Sequence, residues 1–138
     1  MIKVMFVCTG NSCRSQMAEG FARHYGAGLL EVHSAGLTPA GVNRHAITVM
    51  AEAGIDISGQ TSKEIDYELL LGMDYVITLC DHAALFCPKL PEGGTKLHWP
   101  IKDPILTRGS EETILKDFRR ARDEIRELVL DFIRELKR

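Results

Sequence analysis

Near its start the chain reads Ile2-Lys3-Val4-Met5-Phe6-Val7, followed by Cys8-Thr9-Gly10-Asn11-Ser12-Cys13-Arg14-Ser15. The first run is apolar except for Lys3, which is typical of a strand that is covered on both faces of a parallel sheet. The stretch Ser15–Tyr25 then carries its apolar residues at helical spacing. The sequence therefore predicts a strand over Ile2–Val7, a turn that begins at Cys8, and a helix that begins near Ser15.

The residue types in this turn suit a tetrahedral anion held beside a nucleophile. Glycine and asparagine tolerate the backbone angles that point successive N–H groups inward, and the following helix adds its positive end. An arginine offers a planar fork for two oxygens, and the same charges favour the thiolate of Cys8. The alternative is a buried cysteine followed by a surface arginine. We expect Cys8 to be the nucleophile and the following residues to bind an oxyanion: Thr9, Gly10, Asn11, Ser12, Cys13, Arg14 and Ser15.

The bulk composition limits the class of protein. The chain has 138 residues, 45% of them hydrophobic and 26% charged, and a net charge of −2. These values predict one globular domain over residues 1–138 and argue against a nucleic-acid partner. No apolar run approaches the ~20 residues that span a bilayer, and the first strand leaves no room for a signal peptide. We expect a monomeric, cytoplasmic protein whose four cysteines are mostly reduced.

Further strands and helices alternate along the chain. This alternation predicts an α/β fold with a parallel sheet and helices on both faces. The apolar stripe of the last helix fits either a coiled-coil seam or one helix packed on the sheet. Ligands bind at the carboxyl ends of such strands, so Cys8 and Cys80 can face one crevice. The predicted strands are Leu29–His33, Asp74–Leu79 and Thr95–Trp99, and the predicted helices are Asn43–Glu52, Ser62–Leu71 and Glu111 to the end.

A second pair of thiols, Cys80 and Cys87, lies seven positions apart. On a helix this spacing is two turns, roughly 10 Å of rise, whereas a disulfide needs Cα atoms within about 7 Å. The pair can therefore bond only if the segment unwinds, and Pro88 keeps any helix there short. Two buried core cysteines are the alternative. The cysteine spacings do not match those of zinc sites, so no metal is expected.

A carboxylate at Asp103 follows the last predicted strand, between Pro100 and Pro104. Displacement of hydroxide or an alkoxide from a tetrahedral oxyanion is slow unless the leaving oxygen receives a proton. An Asp-Pro pair alone is more often a simple turn. Beside the Cys8 turn, however, Asp103 is the candidate general acid.

Taken together, these residues resemble the thioredoxin-coupled arsenate reductases that share the low-molecular-weight tyrosine phosphatase fold. The resemblance covers nearly the whole chain, including Ser34-Ala35-Gly36, Thr78-Leu79-Cys80, Cys87-Pro88 and Asp103-Pro104. It implies a four-stranded parallel sheet in the order 2-1-3-4. Gln16 is the residue that the reductases have where phosphatases usually have proline.

The resemblance also implies a mechanism without a cofactor. Cys8 attacks arsenate, Ser15 stabilises its thiolate, and Asp103 protonates the departing oxygen. A Cys8–Cys80 disulfide then forms as arsenite leaves, and Cys87 converts it to a Cys80–Cys87 disulfide that thioredoxin or a similar reductant reduces. Cys13 is assigned to packing.

Some members of this group bind potassium at positions matching Asn11, Glu19 and Ser34 together with an acidic residue. Here Lys63 stands at the acidic position, so its ammonium is expected to neutralise Glu19 in place of the ion. Two other functions stay open. The site could hydrolyse phosphotyrosine or small phosphate esters, or the thiols could serve a redox sensor or an arsenic-binding module.

Overall fold

Four parallel strands form one sheet in the order β2-β1-β3-β4. The computed structural model describes residues 1–138. Its strands are β1 (Ile2–Cys8), β2 (Leu30–Gly36), β3 (Tyr75–Thr78) and β4 (Thr95–His98). Its helices are α1 (Arg14–Tyr25), α2 (Arg44–Glu52), α3 (Tyr67–Leu71), α4 (Asp81–Phe86) and α5 (Glu111–Leu136), with a short 3-10 turn at Pro104–Leu106.

The strand order confirms the predicted fold class and locates the crevice. Strands β2 and β3 lie on opposite sides of β1, and right-handed crossovers in opposite directions place their helices on opposite faces of the sheet. The strand order reverses at β1, where α/β folds bind their ligands. Cys8 ends β1, and Cys80 lies two residues beyond β3. The sheet thus brings both cysteines to the same edge.

The core lies around β1, whose residues from Val4 to Cys8 are all buried. The long helix α5 packs against α1 and α2 of the same molecule, so its apolar stripe is used internally and is not a coiled-coil seam. The buried side chains of α5 are Phe118, Ala121, Ile125, Val129, Phe132 and Ile133. No helix combines the length and the hydropathy that a membrane span requires.

Two predicted elements differ from the structure by more than two residues at one end. Strand β2 continues to Gly36, because its last three residues pair with Phe6, Val7 and Cys8 of β1. The predicted helix Ser62–Leu71 is wrong over its first half, since α3 begins only at Tyr67 and is capped by Asp66. The backbone of Lys63 is used instead by the neighbouring strand and loop: its carbonyl accepts from Gly36, and its N–H donates to the side chain of Asn11.

Candidate active site

The turn between β1 and α1, which we call the oxyanion loop (residues 8–15), has its carbonyl groups turned outward. Each carbonyl oxygen from Cys8 to Cys13 accepts a hydrogen bond from elsewhere in the chain. The donors, in the order of those carbonyls, are Leu37 N, Thr38 N, Ala40 N with Ser62 Oγ, Gln16 Nε2, Asn43 N and Met17 N. Because the N–H of a peptide points away from its carbonyl, successive N–H groups face the inside of the loop.

The donors inside the loop lack acceptors in the protein. None of the N–H groups of residues 9–13 donates to another backbone group, and the buried Nε of Arg14 has no partner. Asn11 adopts the left-handed conformation, with φ 46°, which asparagine tolerates better than most residues. Buried donors are rarely left unpaired, and the N-terminus of α1 adds positive potential. This arrangement can hold a tetrahedral oxyanion.

Cys8 lies at the base of this loop and is 3% exposed. Its Sγ is 3.0 Å from Oγ of Ser15. Nδ2 of Asn11 donates to Ser15 Oγ at 2.8 Å and to Ser34 Oγ at 2.9 Å, and the Lys63 N–H fixes the orientation of this amide by donating to its oxygen. Since Ser15 accepts from Asn11, its own proton can be donated to Cys8. This hydrogen bond stabilises a thiolate.

Arg14 and Asp103 form an ion pair at the mouth of the loop. Nη2 of Arg14 donates to Oδ2 of Asp103 at 3.2 Å, and Nη1 donates to the Ile101 carbonyl at 2.9 Å. Asp103 also accepts from the N–H of Ile105 at the start of the 3-10 turn. The sequence predicts that the guanidinium of Arg14 binds an anion, but here its Nη2 contacts Asp103. An arriving oxyanion can bind Nε directly and compete with Asp103 for Nη2.

Cys13 lies on the other side of Asp103, with its Sγ 3.6 Å from Oδ1. Burial raises the pKa of Cys13, and the negative charge of Asp103 raises it further. Cys13 therefore stays a thiol and donates to the carboxylate. Beyond the packing role expected from the sequence, its side chain helps to orient Asp103.

Cys80 caps the N-terminus of α4. Its Sγ accepts from the N–H of Ala83 at 3.3 Å and lies 3.2 Å from Oγ1 of Thr9. Thr9 is the residue that follows Cys8, so this contact joins the second thiol to the oxyanion loop. The structure thus brings Cys80 to the position that the two strand ends predict.

Cys87 lies at the opposite end of α4 and is half-buried. The helix separates it from Cys80 by roughly 10 Å of rise, so the two cannot bond without unwinding of α4. Burial raises the pKa of the Cys87 thiol above its ordinary value of 9.0, with Lys96 opposing the shift. Of the predicted relay cysteines, Cys87 is the one that the structure does not place beside the others.

A pocket of about 270 Å³ opens beside the loop. It brings together three of the predicted catalytic residues, and Lys102 adds a positive charge. Its lining consists of Arg14, Cys80, Asp81, Pro100, Ile101, Lys102 and Asp103.

A buried carboxylate, Glu19, lies behind the loop. It accepts hydrogen bonds from Ser34 and from Nε of Arg23, the latter at 2.9 Å. Nζ of Lys63 lies 3.9 Å from it, so the ammonium is within reach as the sequence predicts, although Arg23 makes the closer contact. No group of three or more His, Cys, Asp or Glu side chains is arranged to hold a metal ion.

Sequence patterns did not reveal the residues that support the loop from behind. These supports come from the segment after β2 and from residues 60–63, and both are distant in the sequence. Gln16 is the one local signal, because it stands where the phosphatases that share this fold usually have proline. Its side chain is fully buried and fully hydrogen-bonded.

Residues 3–138 match the low molecular weight phosphotyrosine protein phosphatase family. The chain belongs to this family, as its sheet order and oxyanion loop also indicate.

Within the family, the similar proteins include arsenate reductases at higher identity and an arginine phosphatase at lower identity. That of Halalkalibacterium halodurans is 49% identical over 94% of this chain and 93% of its own length. A solved arsenate reductase in the phosphate binding state has a TM-score of 0.79 and 42% identity, with 98% of each chain covered. A thioredoxin-dependent arsenate reductase of Corynebacterium glutamicum has a TM-score of 0.75 and 30% identity, covering 100% of this chain and 64% of its own. The chain is accordingly an enzyme of the arsenate reductase type.

Proposed function

We propose that this chain reduces arsenate to arsenite by a relay of three cysteines, with Cys8 as the nucleophile and Cys80 and Cys87 as the shuttle. The observation that carries the proposal is the contact between Thr9 and Cys80, which places a second thiol directly against the loop that holds the first. A phosphatase needs no such thiol, because hydrolysis requires only the nucleophile, the loop and an acid.

In the first step the Cys8 thiolate attacks the arsenic of bound arsenate. The loop N–H groups and Nε of Arg14 hold the oxyanion, and Ser15 donates to the sulfur until it reacts. The bond to one hydroxyl oxygen of the protonated arsenate breaks as the sulfur–arsenic bond forms. Asp103, once protonated, gives its proton to that oxygen, which leaves as water.

In the second step the thiolate of Cys80 attacks the sulfur of Cys8. The sulfur–arsenic bond breaks, its electron pair stays on arsenic, and arsenic(V) becomes arsenic(III). The two thiols supply both electrons and become a Cys8–Cys80 disulfide. The hydrogen bonds from Thr9 and Ala83 stabilise the attacking thiolate.

In the third step Cys87 attacks the sulfur of Cys80 and releases the Cys8 thiolate. The helix α4 must unwind for this step, which breaks its own turns and two contacts with β4. These contacts are the pair of His98 with Asp81 at 2.9 Å and the hydrogen bond from Lys96 to the Cys87 carbonyl at 3.1 Å. Both are exposed and therefore weak, so α4 can open at modest cost.

The Cys80–Cys87 disulfide is then reduced by an external dithiol protein, for which thioredoxin is the proposed candidate. Leu85 and Phe86, inside the shuttle segment, are 78% and 57% exposed. Apolar side chains around an exposed disulfide suit a protein partner better than a small charged thiol such as glutathione. Reduction of the Cys80–Cys87 disulfide also requires a reducing compartment, and we therefore place the enzyme in the cytoplasm. Turnover with thioredoxin, thioredoxin reductase and NADPH, compared with glutathione and glutaredoxin, tests this choice.

Mapping the disulfide after one turnover tests the relay directly. The reduced enzyme receives one equivalent of arsenate without reductant, free thiols are alkylated, and the peptides are analysed by mass spectrometry. We expect one arsenite per chain, a Cys80–Cys87 link, and alkylated Cys8 and Cys13. A Cys8–Cys13 link, or no arsenite alongside rapid hydrolysis of para-nitrophenyl phosphate, would contradict the relay.

Replacing Asp103 with asparagine should separate binding from chemistry. Without a proton donor, kcat for arsenate should fall by about 100-fold or more. Phosphate should bind more tightly as a competitive inhibitor, because Asp103 no longer competes for Nη2 of Arg14. Steady-state kinetics with phosphate inhibition measures both effects. Asp81→Asn removes a carboxylate from the same pocket and should leave kcat within about twofold. An unchanged kcat in Asp103→Asn would assign the proton to another donor.

The third step should accelerate with pH. Because burial raises the pKa of Cys87, nearly all of it is protonated at neutral pH, whereas its attack requires the thiolate. The rate of conversion of Cys8–Cys80 to Cys80–Cys87 should rise about tenfold per pH unit and reach no plateau below about pH 9. Acid quench at successive times, followed by peptide mapping, measures this rate. A plateau near neutral pH would show that Cys87 is ionised more easily than its surroundings indicate.

A further inference from the structure

We propose that Gln16 is a positioning residue for the oxyanion loop. Its side-chain amide holds the carbonyl of Asn11 away from the anion, so that the N–H of the same peptide, that of Ser12, stays turned toward it. The inference rests on the proposed oxyanion site and assigns the residue that maintains it.

The amide of Gln16 is fully buried, and each of its polar atoms has a partner. Nε2 donates to the carbonyls of Asn11 and Thr61, both at 3.0 Å, and Oε1 accepts from Nε2 of Gln60 at 2.8 Å. A buried amide with unmet hydrogen bonds would be costly, so this set of contacts specifies one arrangement.

Gln60 determines which end of the Gln16 amide faces the loop. Its Nε2 donates to the side-chain oxygen of Gln16 and also to the main-chain carbonyl of Gln16 at 3.0 Å. With the oxygen of Gln16 engaged in this way, the nitrogen must face Asn11 and Thr61. The two glutamines therefore act as one unit.

The carbonyl of Asn11 depends on this unit more than its neighbours do. The carbonyls of Thr9 and Ser12 accept from backbone N–H groups, and that of Gly10 accepts from the backbone of Ala40 as well as from Ser62. Asn11 has no backbone donor, and its φ of 46° is a conformation that most residues avoid.

Rotation of the peptide between Asn11 and Ser12 would have two effects on a bound anion. It would turn the Ser12 N–H away from the inside of the oxyanion loop and turn the Asn11 carbonyl oxygen toward the negative charge. We therefore expect the anion to bind more weakly. The later disulfide exchange between Cys80 and Cys87 should change less, because it does not use the N–H groups of the oxyanion loop.

The test compares two substitutions by titration with inorganic phosphate, by arsenate kinetics, and by reduction of the Cys80–Cys87 disulfide with dithiothreitol. Gln16→Met keeps the length of the side chain but removes its donors. We expect the dissociation constant of phosphate and the KM for arsenate to rise about tenfold. This is the size of effect expected when one hydrogen bond that orients a charged site is lost. The disulfide reduction rate should stay within about twofold.

Gln60→Met leaves Gln16 in place but frees its amide to turn, so we expect a change in the same direction of about threefold. If Gln16→Met does not fold, the anion affinity of Gln60→Met tests the proposal in its place. Ser62→Ala removes one of two donors to the adjacent Gly10 carbonyl, and its effect should be smaller than that of either glutamine variant.

Phosphate and arsenate affinities equal to wild type in a folded Gln16→Met and in Gln60→Met would overturn the inference. Equal losses in anion binding and disulfide reduction would also overturn it, since they would indicate general disruption. If the wild-type protein itself binds neither phosphate nor arsenate, the proposed function fails instead.

Discussion

Replacing Cys87 with serine should stop the enzyme after one turnover. In the proposed relay, arsenic is reduced in the step that forms the Cys8–Cys80 disulfide, which does not involve Cys87, so one arsenite per chain should still appear. The disulfide then remains, because Cys8 and Cys80 are 3% and 8% exposed and a dithiol protein cannot reach them. Steady turnover with thioredoxin should fall at least about 100-fold, as expected when an intramolecular nucleophile is lost.

The matched control is Cys13→Ser. Serine can donate to Asp103 as the Cys13 thiol does, and Cys13 has no part in the proposed exchange. This variant should keep most of its turnover. Peptide mapping of Cys87→Ser after arsenate treatment should show Cys8 joined to Cys80. Multiple turnovers in that variant would refute the relay of three cysteines.

Replacing Gly36 with alanine should disable the oxyanion loop. Strand β2 ends against the loop so closely that a Cβ at Gly36 would lie 2.7 Å from the Asn11 nitrogen and 2.8 Å from the Thr9 oxygen. Neither is a side chain that can move aside, so the loop itself must shift. A shift of about 1 Å in a catalytic site can cost 100-fold, and we expect kcat/KM for arsenate to fall at least that much.

Gly59→Ala is the control for this prediction. Nothing lies within 4 Å of a Cβ at Gly59, and its backbone is not left-handed, so alanine should be tolerated. Arsenate kinetics and phosphate titration on both variants, with thermal unfolding to verify folding, measure the contrast. A Gly36→Ala enzyme with wild-type phosphate affinity would show that the loop accommodates the added methyl group elsewhere.

The sheet could be predicted from the sequence because its central strands, β1 and β3, are short apolar runs buried within it. Four predicted strands, each followed by a turn or helix, led to the parallel fold, while the strand order was implied by the family resemblance. The first half of the predicted helix Ser62–Leu71 was assigned wrongly, since local spacing cannot show that Lys63 pairs with Gly36 and Asn11. Its backbone groups are used by partners distant in sequence, and tertiary contacts of this kind override local propensity.

The candidate site divides in the same way. The spacing of Cys8, Arg14 and Ser15 between a strand and a helix predicts an anion loop, because these residues are adjacent in the chain and act together through local geometry. The pairing of Arg14 with Asp103 was not foreseen, since each side chain was assigned its own task and their separation depends on the loop after β4. The role proposed for Gln16 likewise depends on Gln60, which the fold brings to it.

The sequence by itself determined the α/β class and the family, and it led to the proposed nucleophile with its loop and to the two thiols proposed for the relay. These depend on residue type and on spacing along a few consecutive residues. Only the tertiary structure decided which donors hold the loop carbonyls, where the Asp103 carboxylate rests, and that Cys80 contacts Thr9 while Cys87 stands apart. Hydrogen bonds and ion pairs depend on distance and direction between groups from separate segments, and these are set when the segments pack.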